Sequence, residues 1–351
     1  MTMLRQGLIG ALLLLTATMA GAADKAPAPN LGQIVSFPGG VAAHRDLVYA
    51  QIEGFRPLTL DLYQPPIKPK QTPRPAIVFV HGGGWVSGDA RHLDGFDDLP
   101  GLLAGLAAKN YVVASVNYRL ASEAHFPGPV QDVKAAIRWL RSHAADYNID
   151  TTRVMIWGAE AGGQIAALVG TSCGVAPLEP AADAQSKVTL VSDCVQGVID
   201  WYGPMDLASW TPENSASGTT RLGAHLGCEA ADCAPGIVRA ASPISYISAL
   251  TPPFLIQHGS ADTRVPPDQS QALNTALQSQ HVPSEILVYP GLGADFTRDG
   301  NPDADARTKA LSDVEAFITR TFPVAEVQAA KPKSKPAAKA KPSRATGKNR
   351  K

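Results

Sequence analysis

Glu160 is the central residue of Gly158-Ala159-Glu160-Ala161-Gly162-Gly163, a tight turn of small residues. The apolar run 154–157 before it suits a buried strand, and 164–169 after it suits a helix packed under a sheet. A strand, a glycine-bounded turn and a helix together raise one central side chain clear of the backbone, where a nucleophile can work. A carboxylate at that centre differs from a hydroxyl. It accepts hydrogen bonds, ligates a hard cation or takes a proton from water, and it forms no alkoxide.

Three other stretches carry residues that could act with it. His81-Gly82-Gly83-Gly84-Trp85 follows the continuous apolar run 76–80, and its glycines let backbone N–H groups point at a ligand. His258-Gly259-Ser260-Ala261-Asp262 follows the run 254–257 and ends in a carboxylate. Gly291-Leu292-Gly293-Ala294-Asp295-Phe296 follows 285–289 and offers a further carboxylate at Asp295. If Glu160, Asp262 and Asp295 converge, they form either a water-activating base or an oxygen-ligand site for Ca²⁺.

The elements that must position these residues alternate along the chain. Segments 47–50 and 58–63 show strand alternation and predict two antiparallel strands. Run 76–80 is continuously apolar and suits a strand buried on both faces, 154–157 suits a short buried strand, and 111–116, 197–201, 254–257 and 285–289 suit further strands. Between or after them, 102–109, 129–145, 164–169, 269–280 and 311–322 suit helices. This alternation predicts an α/β fold with a mostly parallel central sheet flanked by helices. Residues 173–194 form a polar insertion, and 205–250, rich in turn formers, suit a small lid.

Apolar content of 45% against 18% charged residues describes a chain able to bury a large core. Residues 1–23 read as a secretory signal: Arg5, a short apolar run from Leu8 to Leu15, and Ala20-Gly21-Ala22 for cleavage. Residues 24–44 then form a flexible lead-in, 45–324 the folded domain, and 325–351 a disordered Lys/Pro/Ala tail. The net charge of zero hides an asymmetry, since the tail carries +8 and 24–324 carries −9. An acidic body disfavours nucleic acid, whereas the tail suits an anionic envelope surface of lipid headgroups or cell-wall polymers. Export to the periplasm or beyond permits disulfides. Four cysteines allow three pairings; Cys173–Cys194 and Cys228–Cys233 each close a loop-like segment locally and are the favoured ones. No Cys-x-x-Cys occurs, so no metal is expected at the cysteines, and no cofactor is expected.

The chain resembles the secreted bacterial α/β-hydrolases of the carboxylesterase and lipase kind, especially the feruloyl-esterase-like branch, from about residue 45 to 322. The motifs that carry the resemblance are His81-Gly82-Gly83-Gly84-Trp85, Asn117-Tyr118-Arg119-Leu120, the helix running from Asp132 to Leu140, Gly158-Ala159-x-Ala161-Gly162-Gly163, and His258-Gly259-x-x-Asp262. The resemblance implies an α/β-hydrolase fold, an oxyanion hole from Gly83, Gly84 and Ala161, and a triad in the order Ser, Asp, His. Asp262 matches the acid. Glu160 falls at the nucleophile and Ala294 at the base, and no other G-x-S-x-G occurs in the chain. His258 and His81 fall at positions that support structure in the family. Without serine and imidazole, ordinary serine-esterase turnover has no proton carrier. The expectation is therefore a family member that binds an ester, aryl or glycan ligand without ordinary turnover. Hydrolysis with Glu160 as a base and Ca²⁺-dependent binding remain alternatives.

Overall fold

Residues 74–80, Arg-Pro-Ala-Ile-Val-Phe-Val, are buried at every position, and they form the middle of the sheet. The computed structural model describes residues 32–180, 191–210, 220–228 and 232–323. The expected signal and basic tail lie outside the described residues, as do parts of the insertion and the lid.

The described strands are β1 (Ile34–Phe37), β2 (Val41–Ala50), β3 (Leu58–Gln64), β4 (Arg74–Val80), β5 (Val112–Val116), β6 (Ile149–Ala159), β7 (Gly197–Trp201), β8 (Phe254–Gly259) and β9 (Ser284–Tyr289). They form one sheet in the order β1-β2-β3-β5-β4-β6-β7-β8-β9. The pairs β1–β2, β2–β3 and β3–β5 are antiparallel, and the rest are parallel. The alternation of β2 and β3 and the unbroken apolar runs of β4 to β8 follow the two burial patterns expected of such strands.

Side chains of β4 point alternately to two cores. Ile77 and Phe79 meet α1 (Leu99–Ala108) and the closing helix α8 (Ala304–Thr321). Val78 and Val80 meet α2 (Gly128–Ser142), α4 (Ala161–Thr171) and α7 (Asp268–Ser279), with the short α3 (Ala144–Tyr147) beside them. Helices cover both faces of the sheet. The chain runs from β4 to β5 on one side, then crosses to β6 on the other. A crevice at such a reversal is where doubly wound sheets place ligands. The loop after β4 and the turn after β6 both lie there.

Two boundaries differ from the expected ones. The lead-in does not extend to residue 44: β1 and the start of β2 occupy 34–44. β1 is an edge strand of four residues, Ile-Val-Ser-Phe, with Ile34 exposed and Val35 and Phe37 only partly buried, too short to show a period. The closing helix starts at Ala304, not near 311, because the Asp303 side chain caps it by accepting from Ala306 N (3.0 Å). Its first two turns are polar and hide the helical period.

Both expected disulfides are formed, Cys173–Cys194 and Cys228–Cys233. In the lid, α5 (Arg221–Leu226) and α6 (Pro235–Ala240) lie between β7 and β8 in the chain. Among the described residues no helix is long and apolar enough to cross a membrane.

Candidate active site

Strand β6 ends at Ala159, and α4 begins at Ala161. Glu160 between them has φ 53° and ψ −116°, a conformation that costs a non-glycine residue of order 1–3 kcal/mol. The surroundings enforce it. Glu160 N donates to Trp201 O (2.8 Å), which prolongs the β6–β7 ladder up to the turn. A Cβ on Gly158 would stand 2.0 Å from Gly162 O, so the chain can double back this closely only with glycine there.

The strained backbone aims the Glu160 side chain at the loop after β4. Its Oε2 accepts from Gly83 N and from Gly84 N, each at 2.8 Å. Two of the three donors expected from the sequence therefore meet on this one oxygen. Ala161, the third, is the first residue of α4, and its amide is not among the groups hydrogen-bonded to this carboxylate.

The glycine loop is held from beneath. His81 stacks on Tyr118 with ring centroids 4.3 Å apart, and Tyr118 OH donates to His81 O (3.1 Å) and Gly82 O (3.2 Å). Burial lowers the His81 pKa to about 4, so the ring is neutral at pH 7 and donates through Nδ1 to Gly82 O (2.8 Å). Trp85 Nε1 donates to Gln164 Oε1 (3.1 Å), and Gln164 Nε2 donates to Ala241 O (2.7 Å). One buried amide thus ties the loop, the first turn of α4 and the lid together.

Asp262 lies in the loop after β8. Its Oδ1 accepts from Arg264 N (2.8 Å) and Val265 N (3.1 Å), whereas its buried Oδ2 has no hydrogen-bond partner. His258 Nε2, 3.5 Å from that oxygen, faces Val265 O at 2.8 Å and so carries the ring proton. Its Nδ1 accepts from Ser270 Oγ (2.7 Å). His258 is fully buried with both nitrogens engaged within its own loop and α7, which is a supporting arrangement.

Ala294 opens a single 3-10 turn after β9 and is half-buried. Asp295 follows it and accepts from Arg264 Nη2 (2.6 Å). Burial raises the Asp295 carboxyl to about 6; Asp94 and Glu160 add to the effect and Arg264 opposes it. Burial also disfavours the charged form of Arg264, but Asp295, Glu160 and Asp262 outweigh it and hold the guanidinium above its ordinary pKa. Asp295 thus touches the Arg264 guanidinium directly, and Glu160 and Asp262 act on it through their charge. Among the described residues no three His, Cys, Asp or Glu side chains are grouped to hold a metal ion.

Arg264 escaped the sequence reading. An arginine two residues beyond an acid in a loop carries no pattern of its own, and only its proximity to Asp295, 31 positions away, reveals it.

Residues 60–277 match the sequence pattern of the BD-FAE family. The chain belongs to the BD-FAE family. Esterase LipC of Mycobacterium tuberculosis is 31% identical over 226 residues, or 64% of this chain and 53% of LipC. The chain thus spans about half the length of that relative. Among solved structures, a truncated carbohydrate esterase from gut microbiota superposes with a TM-score of 0.65 at 28% identity, covering 80% of this chain and 95% of that one. The esterase Est2 of the planctomycete Thermogutta terrifontis gives 0.64 at 27% identity, covering 83% and 95%. The expected α/β-hydrolase fold and its kinship with carboxylesterases are therefore established for this BD-FAE chain.

Proposed function

We propose that this BD-FAE protein is an esterase-related binding protein whose oxyanion hole is occupied by its own Glu160. The observation that carries this is the pair of 2.8 Å hydrogen bonds from Gly83 N and Gly84 N to Glu160 Oε2. In an acyl-transfer site such donors must meet the oxygen of a substrate as charge develops on it. Here they already hold a full carboxylate, and a substrate carbonyl would have to displace it.

The carry-over of the triad supports the same reading. Glu160 at the nucleophile position cannot form the acyl-enzyme of a serine esterase, and Ala294 at the base position carries no proton. Removing either group alone from a serine-protease site costs about 10⁶-fold in turnover. The unpartnered Oδ2 of Asp262 is what an acid retains when the imidazole it would orient is gone. The related proteins are named as esterases, one of them as a carbohydrate esterase, which supports an ester, aryl or glycan ligand for this chain. We further propose export, supported by two closed disulfides and the leader-like first 23 residues, with the basic tail resting on an anionic envelope surface.

The test is turnover of p-nitrophenyl acetate and methyl ferulate by the full protein and by the double variant Glu160→Ser, Ala294→His. A silent native protein beside an active double variant is expected. Native turnover well above that of Glu160→Gln would overturn the reading and make Glu160 a catalyst.

A further inference from the structure

We propose that Arg221 and the amides of Gly83 and Gly84 form a binding site for a small monocarboxylate anion, which Glu160 fills from within the chain. The proposal rests on the reading of Glu160 above and adds a ligand class and a lid residue to it.

Arg221 is the first residue of α5 and lies exposed over the oxyanion loop. A Cβ on Gly84 would stand 2.5 Å from Arg221 Cδ, 3.1 Å from Nη1 and 3.3 Å from Nε. The arginine stem and guanidinium therefore rest on the Gly84 α-carbon, in space that any side chain there would claim. Gly84 has φ +60°, so the same residue also supplies the turn that presents its amide to Glu160.

The lid keeps this register through two further contacts. Thr220 Oγ1 caps α5 by accepting from Gly223 N (2.8 Å). His225, one turn along the same helix, stacks on Trp85 with centroids 4.6 Å apart. Trp85 directly follows Gly84, so α5 and the oxyanion loop are aligned at neighbouring residues.

A carboxylate is the ligand the two amides already hold. Two amide N–H groups meet one of its oxygens, and a guanidinium beside them supplies planar donors matched to a planar anion. The Glu160 side chain is a single carboxylate, so a bound monocarboxylate replaces it charge for charge, whereas a dianion adds charge beside Asp262 and Asp295.

The experiment uses the full chain with Glu160→Ala, and with Glu160→Ser as a second variant in case the first fails to fold. Melting is followed against sodium acetate and sodium benzoate, with sodium chloride at matched ionic strength and inorganic phosphate as controls. We expect a saturable rise in Tm with either carboxylate for the variants, none for the native protein and none with phosphate. Adding Arg221→Gln to either variant should raise the half-saturating concentration at least tenfold. Variants no more responsive to carboxylate than the native protein, or unchanged by Arg221→Gln, would overturn the proposal. A phosphate response equal to that of acetate would overturn the monocarboxylate assignment. Esterase turnover by the native protein would instead remove the reading of Glu160 as a resident anion, and the melting experiment reads out separately from that.

Discussion

Arg264 Nη2 lies 2.6 Å from the carboxylate of Asp295, the residue that follows Ala294 in the turn after β9. A guanidinium, not an imidazole, is the cation among the acids of this site. It cannot give up its proton near neutral pH, so it holds charge in place and transfers none.

The same pair makes stability depend on pH. Burial raises the Asp295 carboxyl to about 6, above its ordinary value in an unfolded chain. The folded state therefore binds the proton more tightly, and the stability present below about pH 4 is lost as pH rises through 6. Asp295→Asn should abolish that slope. Urea unfolding of both proteins from pH 4 to 7 should show the native-minus-variant difference fall by on the order of 2–3 kcal/mol. A flat difference would mean that the carboxyl titrates at its ordinary value.

The elbow tolerates no side chain at Gly158, whose Cβ would lie 2.0 Å from the Gly162 carbonyl oxygen. The obstacle is backbone at the start of α4, which cannot swing away as a flexible side chain can. Gly158→Ala should cost about 3 kcal/mol or more or yield insoluble protein, and urea midpoints measure it. A loss below about 1 kcal/mol would show that the turn relaxes freely.

The disulfide-bounded insertion supplies the partners of a fully buried lysine. Lys134 Nζ donates to Ser172 O and Glu179 Oε1, both at 2.8 Å, and Asp193 Oδ1 stands 3.4 Å away. Arg138 Nε donates to Asp193 Oδ2 (2.7 Å), and Arg141 donates to the carbonyls of Ser192 and Cys194, each at 2.6 Å. Lys134→Ala removes the buried one of the two cations, with Arg138, that pair half-buried Glu179 and buried Asp193, and should cost about 3–5 kcal/mol in urea unfolding. Cys173→Ser with Cys194→Ser, which opens a loop of sequence separation 21, should cost about 3 kcal/mol. Cys228→Ser with Cys233→Ser opens one of separation 5 and should cost about 2 kcal/mol. The reverse ranking of the two disulfides would show that chain entropy does not govern them.

Gln164 is the joint between the elbow helix and the lid. Gln164→Leu leaves the Trp85 indole N–H and the Ala241 carbonyl without their partner, at about 2–4 kcal/mol for two buried groups. Hydrogen exchange should quicken at 220–228 and 232–250 and stay unchanged in α1 and α8. Uniform acceleration across the sheet would indicate global destabilisation and no joint.

What the sequence determined by itself was local in origin. Continuous apolar runs mark β4 to β8, because strands buried on both faces need no alternation. The glycines around residue 160 mark a turn that only small residues can make. The absence of a hydroxyl at Glu160 and of an imidazole at Ala294 is a matter of residue type, readable without coordinates. β1 escaped because an edge strand of four residues is too short to show a period, and the start of α8 escaped because its first turns face water.

The tertiary structure decided what those residues touch. Glu160 meets Gly83 and Gly84, 77 and 76 positions away, Arg264 meets Asp295 across 31, and Arg221 lies on Gly84 across the whole span between β4 and the lid. Each contact joins loops at the carboxyl ends of different strands, and those ends converge only when the sheet assembles. A loop residue is free of the periodicity that core packing imposes, so its type announces a capability and its partner depends on the fold.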